Sequence, residues 1–223
     1  MFFVNGWSHI RAADFIDFNP RENLPINKMA KKVAMENLQP FTRDIPYYET
    51  APFNGGSKFR NGDTLMARIT PCLENGKTAQ VNILDDGEVG FGSTEFIVLR
   101  AKPGISDRDF VFYLTTSPAL REKAIKSMVG SSGRQRVQQG VLNEMELWVP
   151  PLDEQIEIGK TLKAIDDRIS INGKINHHLA SRRLSTDNSP DINLGSNVSR
   201  KTANRTDSSR CILICSNSGA VAA

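Results

Sequence analysis

Apolar and polar positions change period along this chain, and the changes divide it into elements. Residues 7–27 read as an extended opening segment with a turn. Phe15, Ile16 and Phe18 lead into Asn19-Pro20-Arg21-Glu22-Asn23, whose Asn-Pro step discourages helix. From Thr64 to Thr70 the positions Leu65, Ala67 and Ile69 alternate with Met66, Arg68 and Thr70, which predicts a half-buried strand closed by Pro71. Thr78–Leu84 is a second strand candidate, followed by a turn at Asp85-Asp86-Gly87. Glu95–Arg100 is a third, rich in β-branched and aromatic residues and closed by Pro103-Gly104. Turn-linked strands of this kind predict a mostly antiparallel sheet. Ser106 or Asp107 can cap a short helix through Tyr113 and Leu114, and Ser117-Pro118 opens another that ends at Gly130. The fold class is therefore α+β.

The most regular stretch follows Pro150-Pro151, where Asp153 can cap a helix running to about Ala180. Steps of three and four connect Gln155, Ile158, Leu162, Ile165, Ile169, Asn172, Asn176 and Leu179 into one heptad seam. That seam predicts a coiled-coil helix in which Asn172 and Asn176 fix register and partner choice. The alternative is an amphipathic helix folded onto its own domain. Beyond Leu184, Ser, Asn, Thr, Asp and Arg dominate until Ile212-Leu213-Ile214, and such a tail is expected to be disordered and dispensable. The domains are thus 1–150, a helix over 151–182, and a tail over 183–223.

Composition narrows the function classes. Lys and Arg balance Asp and Glu at 22 against 22 over residues 1–180, whereas the tail holds 6 against 3. Any nucleic-acid surface on the body must therefore come from local clustering of cations. Cys72, Cys211 and Cys215 are too few and too unevenly placed for a disulfide framework or a zinc site. No stretch reaches the roughly 18 apolar residues of a membrane span, so a cytoplasmic location is the expectation. Histidines offer no metal site, since His177 and His178 are adjacent on a helix and His9 is alone. Asn19-Pro20-Arg21 is not the Asn-Pro-Pro-aromatic motif of an adenine methyltransferase, and no cofactor glycine loop is present. Gly90-Phe91-Gly92-Ser93 lacks the third glycine and the lysine of a phosphate loop. No catalytic residue, cofactor or metal is predicted.

Three ordered blocks carry a resemblance. Gly62-Asp63-Thr64-Leu65-Met66-Ala67-Arg68-Ile69-Thr70-Pro71-Cys72-Leu73-Glu74-Asn75-Gly76-Lys77-Thr78-Ala79 is the longest. Gly130-Ser131-Ser132-Gly133-Arg134-Gln135-Arg136-Val137 follows it, and Val149-Pro150-Pro151-Leu152-Asp153-Glu154-Gln155 introduces the long helix. Together with Trp7 and the Asn19-Pro20-Arg21 turn they make residues 7 to about 180 resemble specificity subunits of type I restriction-modification systems. The resemblance implies a target-recognition domain for double-stranded DNA followed by a conserved spacer helix. It implies a non-catalytic role too, directing methyltransferase (modification) subunits, and in the full complex restriction subunits, to a split target. A complete subunit of that family has two such domains and two helices; this chain reads as a half-subunit or a truncated one, expected to form a homodimer or to pair with another half-subunit.

Two loops have the side chains that DNA recognition requires, because Arg and Lys hold phosphates while Arg, Gln and Asn read base edges. In the loop from Gly130 to Gln139 the candidates are Ser131, Ser132, Arg134, Gln135, Arg136 and Gln138; in the loop from Asn54 to Asn61 they are Lys58 and Arg60. Asn75 and Lys77 are further candidates for phosphate contact. The seam residues Ile158, Leu162, Ile165, Ile169, Asn172, Asn176 and Leu179 are the candidates for dimerisation. The rival reading from another class is a coiled-coil assembly factor that contacts only protein.

Overall fold

A computed structural model describes residues 6–186, with side chains to residue 179, so most of the tail lies outside the described residues. The chain divides into two units after His178, and the fold below is that of the first. Its strands are β1 (Ser8–Arg11), β2 (Ile16–Phe18), β3 (Met29–Val33), β4 (Glu49–Pro52), β5 (Ser57–Phe59), β6 (Thr64–Ala67), β7 (Thr78–Gln80), β8 (Gly90–Gly92), β9 (Phe96–Ala101) and β10 (Glu146–Val149). Its helices are α1 (Ala12–Phe15), α2 (Arg108–Thr116), α3 (Pro118–Lys126), α4 (Gln139–Asn143) and α5 (Leu152–Thr186). The opening segment is therefore two short strands around one helical turn rather than a plain extended stretch.

One four-stranded sheet has the order β2-β9-β6-β7, a second has β4-β3-β8-β5, and β1 pairs with β10. Every described strand pairing is antiparallel except β3 with β8. The α+β class with a mainly antiparallel sheet and a long C-terminal helix is the observed one. The expectation of a half-buried β6 is corrected: Leu65 and Met66 are both fully buried. The reason lies in the layers. Leu65, Phe96 and Val98 enter a cluster with Val33, Phe59 and Val81 of the second sheet and its loops. Met66, Ile97 and Leu99 enter another with Phe110, Val111 and Leu120 of α2 and α3. Because successive strand side chains point to opposite faces, β6 and β9 serve two cores at once.

The glycines of β8 have a packing role. A Cβ on Gly90 would lie 2.5 Å from the Phe59 ring, and one on Gly92 would lie 2.5 Å from the Val33 carbonyl oxygen. Asp107 caps α2 as the sequence suggests, its Oδ1 accepting from the Asp109 and Phe110 amides at 3.0 and 2.9 Å. Pro118 opens α3, but Ser117 does not cap it; its hydroxyl donates back to the Leu114 carbonyl oxygen.

The long helix starts one residue before the expected cap. Asp153 and Glu154 therefore lie inside its first turn, where carboxylates face the positive end of the helix dipole. Its first half is docked on the body. Gln155, 1% exposed, accepts from the Asp107 amide and donates to the Ile105 and Pro150 carbonyl oxygens. A Cβ at Gly159 would stand 2.9 Å from Asp107 Oδ1, so glycine is what lets α5 approach α2. Farther on, the buried Arg43 donates to Asp167 at 2.6 Å, and Tyr113 donates to Asp166 at 2.7 Å. Burial, followed by the hydrogen bond to Asp166, pushes the Tyr113 phenol above its ordinary range.

Two of the expected seam residues are consequently corrected. Gln155 is bonded into the body, and Ile158 packs against the helix-side core, so neither faces a partner. Leu162 is half-buried. Ile165, Ile169, Asn172, Asn176 and Leu179 are exposed, as are Ile171 and Ile175, which the heptad reading did not include. At 3.6 residues per turn, Ile165, Ile169, Asn172, Asn176 and Leu179 fall within an arc of about 80°, on the same side of the axis as the docked Ile158. The helix runs on to Thr186, past the expected boundary at 182.

Candidate nucleic-acid interface

A cleft of about 510 Å³ opens where the turn after β2 meets β5 and the ends of β6 and β9. Its cations are Arg21, Lys58 and Arg68, with Asn19, Ser57 and Thr94 among the polar lining. Asn19 has φ 50, a left-handed conformation that Asn tolerates, and its side-chain amide oxygen accepts from the Val98 amide. Its side-chain NH2 donates to Gln139 at 2.8 Å, which connects the cleft to the end of the Gly130 loop.

Glu22 of the lining belongs to an ionic network. Glu22 and Asp63 each have only 2% of their side chains exposed. Arg100 reaches both, donating to Glu22 at 2.6 Å and to Asp63 through two parallel bonds of 2.7 Å. The Asp63 carboxylate in particular holds the Arg100 guanidinium above its ordinary range. Arg60 covers Glu22 from outside at 2.6 Å. Lys58 donates to the Glu22 carbonyl oxygen at 2.7 Å and lies over the Phe53 ring.

The loop Gly130–Gln138 is clamped at its ends and open at its tip. Val129 and Arg136 exchange backbone hydrogen bonds, the Gln135 carbonyl oxygen accepts from the Thr70 amide, and the Val137 amide donates to the Arg68 carbonyl oxygen. Gly130 has φ 144 and Gly133 φ 77, conformations that side chains disfavour, so the tight reversal depends on them. Ser131, Ser132, Arg134 and Gln138 are exposed, and Gln135 is half-buried. The Arg134 side chain makes no ion pair among the described residues. Arg136 grips Glu95 through Nε and Nη2 at 2.6–3.0 Å, and that contact above all holds the Glu95 carboxyl below its usual range.

The sequence-predicted residues thus fall into separate places. Lys58 lines the cleft, with Arg60 beside it as a counter-ion to Glu22, while the Gly130 loop adjoins the cleft through its base, where the Val137 amide bonds to Arg68 and Gln139 to Asn19. Asn75 is exposed on the turn before β7, and no residue of that turn lines the cleft. Lys77 serves the fold: its ammonium is half-buried and donates to the Met35 carbonyl oxygen at 3.0 Å. Arg21, Arg68, Asn19 and Gln139 are the residues that sequence reasoning left out of the site. Among the described residues no group of three His, Cys, Asp or Glu side chains converges as a metal site. No described helix is long and apolar enough to cross a membrane.

This arrangement, a cationic cleft beside a polar glycine loop on a domain followed by a long helix, can be set against known proteins. The family model for the type I restriction modification DNA specificity domain matches residues 23–181. The chain belongs to this family. The specificity subunit of the type I restriction enzyme EcoAI from Escherichia coli is 36% identical over 104 residues, which are 47% of this chain and 18% of that subunit. The HsdS subunit of Thermoanaerobacter tengcongensis shares the fold with a TM-score of 0.59 at 19% identity, over 85% of this chain and 51% of that one. A solved chain from work on complex assembly and conformational transition of the type I R-M system gives a TM-score of 0.60 at 18% identity, over 87% of this chain and 53% of that one. The chain therefore spans under a fifth of the length of its curated relative and about half that of the solved ones. The fold and the family are those expected from the three sequence blocks.

Proposed function

We propose that this chain is the sequence-specific DNA recognition component of a type I restriction-modification complex, without chemistry of its own. The observation that carries the reading is the junction of the Arg21–Lys58–Arg68 cleft with the Gly130–Gln138 loop in a DNA specificity domain. Cations along the cleft hold phosphates, while the loop tip brings Arg134, Gln135 and Gln138 to base edges. The exposed apolar arc of α5 pairs with a second copy or with the helix of another half-subunit. The paired assembly directs modification subunits, and restriction subunits in the full complex, to a split target. Two identical domains would read identical half-sites, making that target an interrupted palindrome.

The test is copurification with modification subunits followed by mapping of methylated sites. Gln135→Ala is expected to relax discrimination at one base pair per half-site by about 1–3 kcal/mol. Arg21→Ala, in the cleft, is expected to weaken binding to all sequences and to reduce the salt slope by about 1. Binding that is insensitive to salt would instead favour a protein-only assembly factor.

A further inference from the structure

Glu95 occupies an unusual position for an acid at the edge of a cationic surface. It lies just before β9, between two arginines from different segments. Arg136 presents its Nε–Nη2 edge to the carboxylate in a bidentate contact, and Arg68 Nε stands 4.0 Å from the same group. That Arg68 Nε is buried and has no hydrogen-bond partner. The backbone enforces the grouping: the Arg68 amide donates to the Glu95 carbonyl oxygen at 2.9 Å, and the Arg68 carbonyl oxygen accepts from the Val137 amide at 2.8 Å. Two cations and one acid are thus held together, with one donor left unmatched.

We infer that Arg68 and Arg136 form a phosphate site for the DNA backbone in which Glu95 is the resident stand-in. The inference rests on the DNA-recognition reading above. A carboxylate and a phosphate both offer paired oxygens to a guanidinium fork, so one can replace the other on Arg136. The phosphate carries a further oxygen, which matches the unpaired Arg68 Nε that Glu95 leaves 4.0 Å away. Glu95 then acts as an internal competitor. It lowers the affinity of the free protein for duplex of any sequence, and it keeps the two arginines oriented until DNA displaces it.

The experiment measures binding of the full chain to a random-sequence 30-base-pair duplex by anisotropy across a salt series. Wild type, Glu95→Gln and Glu95→Gln with Arg136→Met are compared, with melting temperatures recorded in parallel. Glu95→Gln is expected to bind tighter, with a slope of log affinity against log salt steeper by about 0.9 for each phosphate gained. Between 200 and 50 mM salt that slope enlarges the gain by about three- to four-fold per contact. Adding Arg136→Met is expected to return the slope to the wild-type value or below. A Glu95→Gln variant that binds no tighter, with an unchanged or shallower slope, overturns the inference while leaving the DNA reading intact. If neither wild type nor Glu95→Gln binds duplex at any salt, the DNA reading itself fails and takes the inference with it.

Discussion

Replacing Arg100 by Met puts the ionic network beside the cleft to the test. The substitution keeps most of the side-chain volume but removes the cation that bridges Glu22 and Asp63, whose side chains are each only 2% exposed. Removing one partner of a buried ion pair strands the other, at a cost of about 3–5 kcal/mol. Here the lower end applies, because Glu22 keeps Arg60 and Asp63 still accepts the Arg60 amide. For a unit of this size each kcal/mol lowers Tm by about 2–4 °C, so a fall of at least about 6 °C is expected. Arg60→Ala removes a half-exposed partner only and is expected to cost under about 1 kcal/mol. Arg100→Lys recovers little, since an ammonium cannot reproduce two parallel bonds to Asp63 and a third to Glu22. The triple change Arg100→Met, Glu22→Gln, Asp63→Asn removes the stranded charges and is expected to restore much of the loss. Urea denaturation with calorimetry reads all four. An Arg100→Met variant within about 1 kcal/mol of wild type would refute the claim that these carboxylates depend on it.

Three further outcomes are expected. Gly159→Ala destabilises although alanine is the better helix former, because its Cβ meets Asp107, Asp109 and the Phe110 amide; Gly173→Ala, with open space around it, raises helicity by circular dichroism and stabilises α5 by up to about 1 kcal/mol. Changing Ile165 and Ile169 to Asp leaves the melting temperature near wild type, since both are exposed, but yields monomers in sedimentation if the arc is the pairing face. The Glu95 contact with Arg136 has a definite pH signature. Because the Glu95 carboxyl is held below its ordinary 4.5, its stabilising contribution is complete above that value and is lost as pH falls through the depressed one. The Tm gap between wild type and Glu95→Gln should therefore narrow as pH falls below the ordinary carboxylate range, and a gap that does not change with pH would contradict the contact.

Much of the first sheet was legible because its strands are apolar and its turns are marked by Gly, Pro and Asp. The second sheet was not. Its strands Met29–Val33, Glu49–Pro52, Ser57–Phe59 and Gly90–Gly92 are short and mostly polar or small, with inward residues such as Ala30, Val33, Phe59 and Phe91 too sparse to show a period. Pairing of β1 with β10 joins the two ends of the body, which no local pattern encodes. The Gly130 loop was readable from its glycines and polar residues. Arg68 was not, since in the alternation it was merely the outward neighbour of Ala67; only the fold brings Glu95 and Arg136 to it. The heptad count detected α5 but could not separate its docked beginning from its exposed continuation, because Gln155 and Ile158 continue the spacing of the exposed positions along the same side of the helix.

Gln155 has a mechanical consequence. Its amide is tied at once to the start of α2, through the Asp107 amide, and to the carbonyl oxygens of Ile105 and Pro150. Asp107 in turn caps α2. Peeling α5 from the body would leave that buried amide unmatched and expose the cap, so the Pro150-Pro151 step is a change of secondary structure but no natural cutting point. A protease would find no intermediate to trap there: the body and the first half of α5 should survive or disappear together, and a torque applied to the helix should be felt at α2 before anything slips between them.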